Sequence, residues 1–471
     1  MRRHPIRPLF ALLSAAVALV VVADAPSLAA AVTGSWSGTY SLHGEDSVTF
    51  VVAGTRATVA LGAAHAGAQS VPFSGSNGRI RFQLPGRPAA VVFEGRLRNG
   101  RIRGSVRQAG LRGAFHVRRG AAPRLLAQGL YAGGRAVVDT PFGVPRLVDL
   151  ETGEVHGLYG RGSAFDVGSG FATRAPAAGV ASFGPAGAVI AGQPAQRLRV
   201  RQYEVRFQSG SVSLAGTLTI PPGPGRHPAV AFVHGSGPQT RAYLPDLAAM
   251  LLHHGVAVLA YDKRGNGQSG GTYPGESPTP STVDVLARDA EAAVRFLAAQ
   301  AEIDPGRVGL GGHSQAGWIV PRAAAREPKV RFAVLFAGPA VTANENDRYQ
   351  ILTGQGERPQ ELSDEAIDAS VLARGPGGVD PMPEIRSLKI PALWVYGALD
   401  KHIPTRLSVR LLEPLAAEPG RDFSVAVFAN ANHALVETQT GLTAEMLRSS
   451  TFARGLFPRV ADWLRARGLA G

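Results

Sequence analysis

Gly312-His313-Ser314-Gln315-Ala316-Gly317 is the stretch on which the reading of this chain turns. It follows the apolar run Arg307-Val308-Gly309-Leu310-Gly311 and precedes a helix-like segment from Trp318 to Arg326. A strand, a sharp turn and a helix with serine at the apex describe a nucleophile elbow, which holds the hydroxyl above the sheet where a base can reach it. Positions two before and two after the serine must be small, because their backbones nearly touch. Gly312 and Ala316 meet that demand, with alanine where glycine is commoner. In a chain with 58 glycines this match alone is weak, so the reading depends on the other parts lying in the required order.

A serine hydroxyl is a poor nucleophile until a base removes its proton. In the elbow architecture the parts arrive in the order serine, acid, histidine. Only His402 and His433 follow Ser314. His433 lies in Ala429-Asn430-Ala431-Asn432-His433-Ala434, just beyond a strand expected to end at Phe428, where sites in parallel sheets form. It is the candidate base, and His402 is read as a loop or rim residue. The candidate acid is Asp400, closing Trp394-Val395-Tyr396-Gly397-Ala398-Leu399-Asp400; its rivals Asp380 and Glu384 precede that strand rather than follow it. Oxyanion donors are expected from the backbone N–H of Gln315 and of Ser236, the latter within His234-Gly235-Ser236-Gly237-Pro238. His234 comes too early in the chain to be the base and is read as structural. Asp262-Lys263-Arg264-Gly265-Asn266-Gly267-Gln268-Ser269 fits neither phosphate-loop spacing, and reads as a structural turn with Asp262 and Arg264 paired. No motif calls for a metal or a cofactor.

Outward from these motifs, strands and helices alternate from about Arg201. Tyr203 to Phe207 and Val212 to Ile220 suggest a starting hairpin. Apolar strands follow at Ala229–Val233, Val256–Tyr261, Phe332–Phe336, Ala392–Tyr396 and Phe423–Phe428. Helices are expected near Leu244–His254 and Val283–Ala299, the second capped by Ser281-Thr282. Short, nearly continuous apolar strands between helices mean a mostly parallel sheet with both faces covered. A polar insertion over about 339–384 suggests a small cap.

Residues 32–120 have a different period. Ile80, Phe82 and Leu84 alternate with Arg79, Arg81 and Gln83, and Phe115 and Val117 with His116 and Arg118. This is the pattern of half-buried antiparallel strands, and Asn99-Gly100 is a hairpin turn. The expectation is a small β-sandwich or partly closed barrel whose arginine face is solvated. Residues 121–200 read as further β structure leading into the domain over 201–471.

The fold class is therefore α/β behind a mainly antiparallel β domain. Arg2, Arg3 and Arg7 before the apolar run Leu9–Ala23 read as an export signal over residues 1–31, with cleavage after Ala29 or Ala31, and imply a periplasmic or extracellular protein. The alternative is an uncleaved anchor; no later run is long and apolar enough to span a bilayer. The absence of cysteine excludes disulfides, thiolate metal sites and a cysteine nucleophile. The net charge of +14 is almost all arginine, the only lysines being Lys263, Lys329, Lys389 and Lys401. No nucleic-acid module accompanies that charge, and no nucleic-acid partner is expected.

Taken together, HGSGP at 234–238, YDKRGNGQSGG at 261–271, GHSQAGW at 312–318, YGALD at 396–400 and NANH at 430–433 resemble the α/β-hydrolase superfamily, more narrowly secreted bacterial carboxylesterases with an N-terminal β domain. The resemblance covers about 201–468. It implies hydrolysis of a small-molecule ester through an acyl-enzyme by Ser314, His433 and Asp400, without a cofactor. A serine aminopeptidase-like peptidase is the alternative, with Glu345, Asp347, Glu357 and Glu361 as candidate holders of a substrate amine. A further alternative is an envelope-polysaccharide-binding protein with a vestigial hydrolase domain.

Overall fold

The structure is a computed structural model that describes Val32 and residues 34–470, except 42–44, 54–55, 62–68, 77, 85–89, 120–127, 139–144, 162–163, 172, 174–177, 185 and 447. The export signal expected over 1–31 lies outside the described residues. The alternating pattern of the N-terminal part forms a closed antiparallel barrel of Gly34–Ser41 (β1), Glu45–Ala53 (β2), Arg56–Leu61 (β3), Gln69–Ser76 (β4), Arg79–Leu84 (β5), Val91–Arg98 (β6), Arg101–Gln108 (β7) and Leu111–Arg119 (β8). Closure is complete, not partial: β1 pairs with β8 from Trp36 opposite Arg119 to Tyr40 opposite Phe115. Glycines permit it. A Cβ on Gly38 would lie 1.9 Å from the His116 carbonyl oxygen, and one on Gly104 2.0 Å from that of Glu94. Bare backbone at such points lets strands bend sharply enough to close. Stacked Phe82 and Phe93, 4.9 Å apart, fill the interior with Trp36, Phe50 and Phe115. Asn99 and Gly100 both take positive φ, 49° and 69°, as the expected hairpin turn requires.

Eight shorter antiparallel strands follow in sequence order: Gly129–Tyr131 (β9), Arg135–Val138 (β10), Arg146–Asp149 (β11), Val155–Arg161 (β12), Ala164–Val167 (β13), Gly179–Phe183 (β14), Gly187–Ile190 (β15) and Gln193–Gln196 (β16). A bridge between Tyr131 and Arg197 brings the two ends of this sheet together. Its side chains divide in two. Tyr131, Val137, Leu147, Leu158, Phe165 and Phe183 fill its own interior. Leu130, Ala136, Val148, Leu150 and Val155 point out of it into the core of the next unit.

That unit holds Arg201–Ser209 (β17), Val212–Ile220 (β18), His227–Val233 (β19), Ala257–Tyr261 (β20), Ile303–His313 (β21), Phe332–Phe336 (β22), Ala392–Gly397 (β23) and Phe423–Phe428 (β24), in the sheet order β17-β18-β20-β19-β21-β22-β23-β24. From β20 onward all neighbours are parallel. Pro245–His253 (α1) and Leu456–Arg465 (α8) cover one face, together with the outward side chains of the second β unit. The other face carries Pro280–Ala298 (α2), Ala316–Arg326 (α3) and Thr405–Ala416 (α7). Alternate residues of β19 serve the two faces, Ala229, Ala231 and Val233 against Val230 and Phe232. Thr279, two residues earlier than expected, caps α2 by accepting from the Thr282 N–H, because Pro280 occupies the first helical position. Between β22 and β23 lie Ala343–Thr353 (α4), Asp364–Arg374 (α5) and Met382–Ser387 (α6).

Candidate active site

Ser314 stands between β21 and α3 with φ at +57°, a conformation that non-glycine residues rarely adopt. The turn is fixed by close packing. A Cβ on Gly312 would lie 2.4 Å from that of Ala316, and one on Gly317 2.5 Å from the backbone nitrogen of Pro339. The Ser314 N–H donates to the Phe336 carbonyl at 3.0 Å, pinning the turn to β22.

The loops after β23 and β24 bring Asp400 and His433 to this turn. Ser314 Oγ lies 3.0 Å from His433 Nε2, and His433 Nδ1 lies 2.8 Å from Asp400 Oδ2. The other oxygen of Asp400 accepts from the N–H groups of His402 at 2.7 Å and Ile403 at 2.9 Å. Burial pushes the His433 imidazole down to about 3. Burial also raises the Asp400 carboxyl to about 6, opposed by His402 and by the two N–H groups it accepts from. At neutral pH both effects leave a neutral imidazole beside a carboxylate, so Nδ1–H donates to Asp400 and Nε2 accepts from the Ser314 hydroxyl.

Gly235, after β19, packs directly on the serine: a Cβ there would lie 3.3 Å from that of Ser314 and 2.6 Å from the Tyr243 hydroxyl. The amides of Ser236 and Gln315 donate to no protein acceptor among the described residues. Gln315 is the N-cap of α3, where unpaired N–H groups collect.

Two buried side chains organise this geometry without having been singled out in the sequence. Lys263 is 2% exposed, and its ammonium donates to the carbonyls of Gly235 at 2.6 Å and Gly237 at 3.0 Å, and to Gln315 Oε1 at 3.2 Å. It ties the 235–237 loop to the Gln315 side chain, so both oxyanion-candidate segments share one anchor. Burial lowers its ammonium to about 7, opposed by Glu276. His313 accepts from the Tyr243 hydroxyl at 2.7 Å and donates from Nε2 to the His433 carbonyl at 2.9 Å, linking the loop after β24 to the segment after β19.

The structure corrects the expected pair in the 262–269 turn. Asp262 accepts from Arg241 at 2.9 Å and from the Gln268 N–H at 2.8 Å, whereas Arg264 Nε donates to Asp289 at 2.7 Å. The side-chain partners of both residues, Arg241 and Asp289, come from outside the turn. His234 is buried against Tyr261 and away from the Ser314 hydrogen-bond chain. The His402 ring stacks on His433 at 4.4 Å. Asp380 caps the Met382 N–H and Glu384 pairs with Arg322, so neither meets His433. The four carboxylates considered for an amine site are occupied elsewhere or face solvent: Glu345 closes the capping box of α4, Glu361 pairs with Arg358, and Asp347 and Glu357 are exposed. No cluster of metal-ligating side chains occurs among the described residues.

Residues 225–358 match the family model described as serine aminopeptidase, S33. Esterase EstD of Thermotoga maritima is 26% identical over 281 residues, which cover 53% of this chain and 65% of EstD. Polyketide transferase claH of Penicillium crustosum is 33% identical over 106 residues, 22% of this chain and 33% of that protein. The chain thus spans less than two thirds of the length of these relatives. Among solved structures, an acylaminoacyl peptidase of Pyrococcus horikoshii is 14% identical and covers 91% of this chain and 70% of its own, with a TM-score of 0.44. An esterase of Pyrococcus furiosus is 19% identical and covers 56% and 91%, with a TM-score of 0.41. The strand order with β20 inserted between β18 and β19, the serine turn after the fifth strand and the matched sequences give the unit that begins at β17 the α/β-hydrolase fold, behind an N-terminal β region.

Proposed function

We propose that the protein is a serine hydrolase that cleaves carboxylic esters through an acyl-enzyme. The supporting observation is the hydrogen-bond chain from Ser314 through His433 to buried Asp400, with links of 3.0 and 2.8 Å. Ser314 Oγ attacks the ester carbonyl while His433 Nε2 takes its proton. The oxyanion is met by the Gln315 and Ser236 N–H groups, which have no other acceptor to leave. Asp400 keeps the proton of Nδ1 in place and stabilises the imidazolium. His433 then gives its proton to the departing alkoxide, which leaves as the alcohol. Water, deprotonated by the same nitrogen, attacks the acyl-enzyme; His433 then passes that proton to Ser314 Oγ as the carboxylic acid departs with the water's other proton.

Labelling of the protein with a fluorophosphonate, read by intact mass, tests the assignment. One adduct on Ser314, absent from Ser314→Ala and His433→Ala, is the expected result; labelling that persists in Ser314→Ala refutes it. The match to the serine aminopeptidase model favours a second reading, in which the same residues open an amide. Turnover of an ester and an amide with the same acyl group separates the two. We further infer export through the signal over residues 1–31, which N-terminal sequencing of the native protein checks.

A further inference from the structure

On the outer wall of the barrel, side chains directly opposite one another across the strands form rows. One row runs Ser76, Arg79, Arg96, Arg103 and His116 over β4 to β8. Three arginines thus stand side by side with no acid between them. Like charges directly opposite across a sheet are destabilising, so folding gives no reason for the arrangement. The next row, two residues along each strand, carries Ser74, Arg81, Glu94 and Ser105. Glu94, the one carboxylate here, is engaged by Arg81 and Arg107, and Arg79, Arg96 and Arg103 make no ion pair among the described residues.

Between the two rows the wall is sunken. Its floor is the inward-facing row Gly75, Ile80, Gly95 and Gly104, where three of four positions have no side chain. The groove has a volume of about 660 Å³. A second one of about 590 Å³ lies across the arginine row, lined by Arg96, Arg98, Asn99, Arg101 and Arg103. The two share Arg96 and Arg103 and so form one track rather than a socket for a single ion.

We infer that this track on the barrel wall binds a strand of acidic polysaccharide, its carboxylate or sulfate groups on Arg79, Arg96 and Arg103 and its hydroxyls on the flanking serines and Asn99. A guanidinium offers two parallel donors to each such anion. Serine and asparagine interleaved with arginine suit a hydroxyl-rich backbone. The lining has no aromatic ring on which bases could stack, which argues against single-stranded nucleic acid. Nor does it raise an apolar side chain toward a bilayer; its one large aliphatic residue, Ile80, is buried in the floor. The inference stands apart from the hydrolase reading, since every residue in it belongs to the barrel.

The test uses the full chain, with polygalacturonate and heparin as acidic glycans, and neutral dextran, oligo(dT) and phosphatidylcholine–phosphatidylglycerol vesicles as alternatives. Binding to at least one acidic glycan is expected, none to dextran, and weakening as salt rises through the range where the Debye length falls below about 8 Å. Arg96→Ser/Arg103→Ser should weaken binding about tenfold or more, while Arg410→Ser/Arg459→Ser, which removes the same charge from the exposed surface of α7 and α8, should change it less than about twofold. Arg96→Lys/Arg103→Lys keeps the charge without the fork and should fall between, which preserves the test should the serine variant not fold. Turnover of an unhindered ester should be unchanged in every variant. Binding to neither acidic glycan, equal loss in both serine variants, or tighter binding to oligo(dT) or vesicles overturns the inference.

Discussion

At Ser314 the positive φ, the buried imidazole and the buried carboxylate form one electrostatic unit. Burial opposes charge on His433, so the imidazole stays neutral below the usual histidine range. Asp400, raised to about 6, is the group that takes up a proton first as pH falls, and with it goes the anchor of the Nδ1 proton. The acid limb of kcat/KM is therefore expected at about 6 or below; a limb centred above 7 would show that the carboxylate dominates and raises the imidazole instead. Lys263 acts one step behind the reacting atoms. Lys263→Met should lower kcat by about 10- to 100-fold with KM nearly unchanged, because in the proposed mechanism the amides it positions act on the oxyanion and not on the bound ester. An equal rise in KM, or unchanged kcat, refutes that role. Its signal in the sequence was slight: one of four lysines in an arginine-rich chain, directly after an apolar strand.

At the scale of elements, the crossing of β21 and α3 at the serine turn leaves room for one methyl group, not two. Ala316 already supplies it. Gly312→Ala should destabilise the domain by about 1–3 kcal/mol through overpacking and reduce turnover, and Ala316→Gly in the same chain should restore part of both. Equal melting temperatures for Gly312→Ala and the parent would show that the turn relaxes at little cost. The turn was legible because a steric rule fixes residue types at fixed spacing. The cap of α2 was misplaced by two residues, since three hydroxyl-bearing residues adjoin Pro280 and only the backbone geometry selects Thr279. Likewise, repeating strands at 32–120 told of a sheet but not of its closure, because pairing of β1 with β8 joins residues some 80 apart.

For the whole molecule, the second β unit is part of the hydrolase core. Besides its apolar outer face, Arg146 of β11 donates to Asp246 of α1 at 2.7 Å in a buried pair. The main chain adds to it: the Val155 N–H donates to the Ser450 carbonyl and the Phe452 N–H to that of Gly153. Phe452 in turn bridges to Val436, three residues from His433, so this sheet braces the loop that carries the imidazole. Arg146→Met should lower stability to urea by about 3–5 kcal/mol by stranding the Asp246 charge, and Arg146→Met/Asp246→Leu should recover most of it. Equal losses in the single and double variants would mean that the pair's shape, not its charge, holds the interface.

The sequence by itself determined the fold class, the serine turn and the chain order of Ser314, Asp400 and His433. Each of these follows from local rules, namely periodicity, small residues at a sharp bend and loops at the carboxyl ends of parallel strands. Tertiary structure alone decided which partner each charge finds. Asp262 meets Arg241 and Arg264 meets Asp289, although Asp262 and Arg264 are near neighbours in sequence. It alone placed Lys263 under the glycine loop and three arginines in one row on the barrel. A side chain's direction within its turn or strand can be read locally, but what stands opposite depends on how distant segments pair, and composition does not encode that.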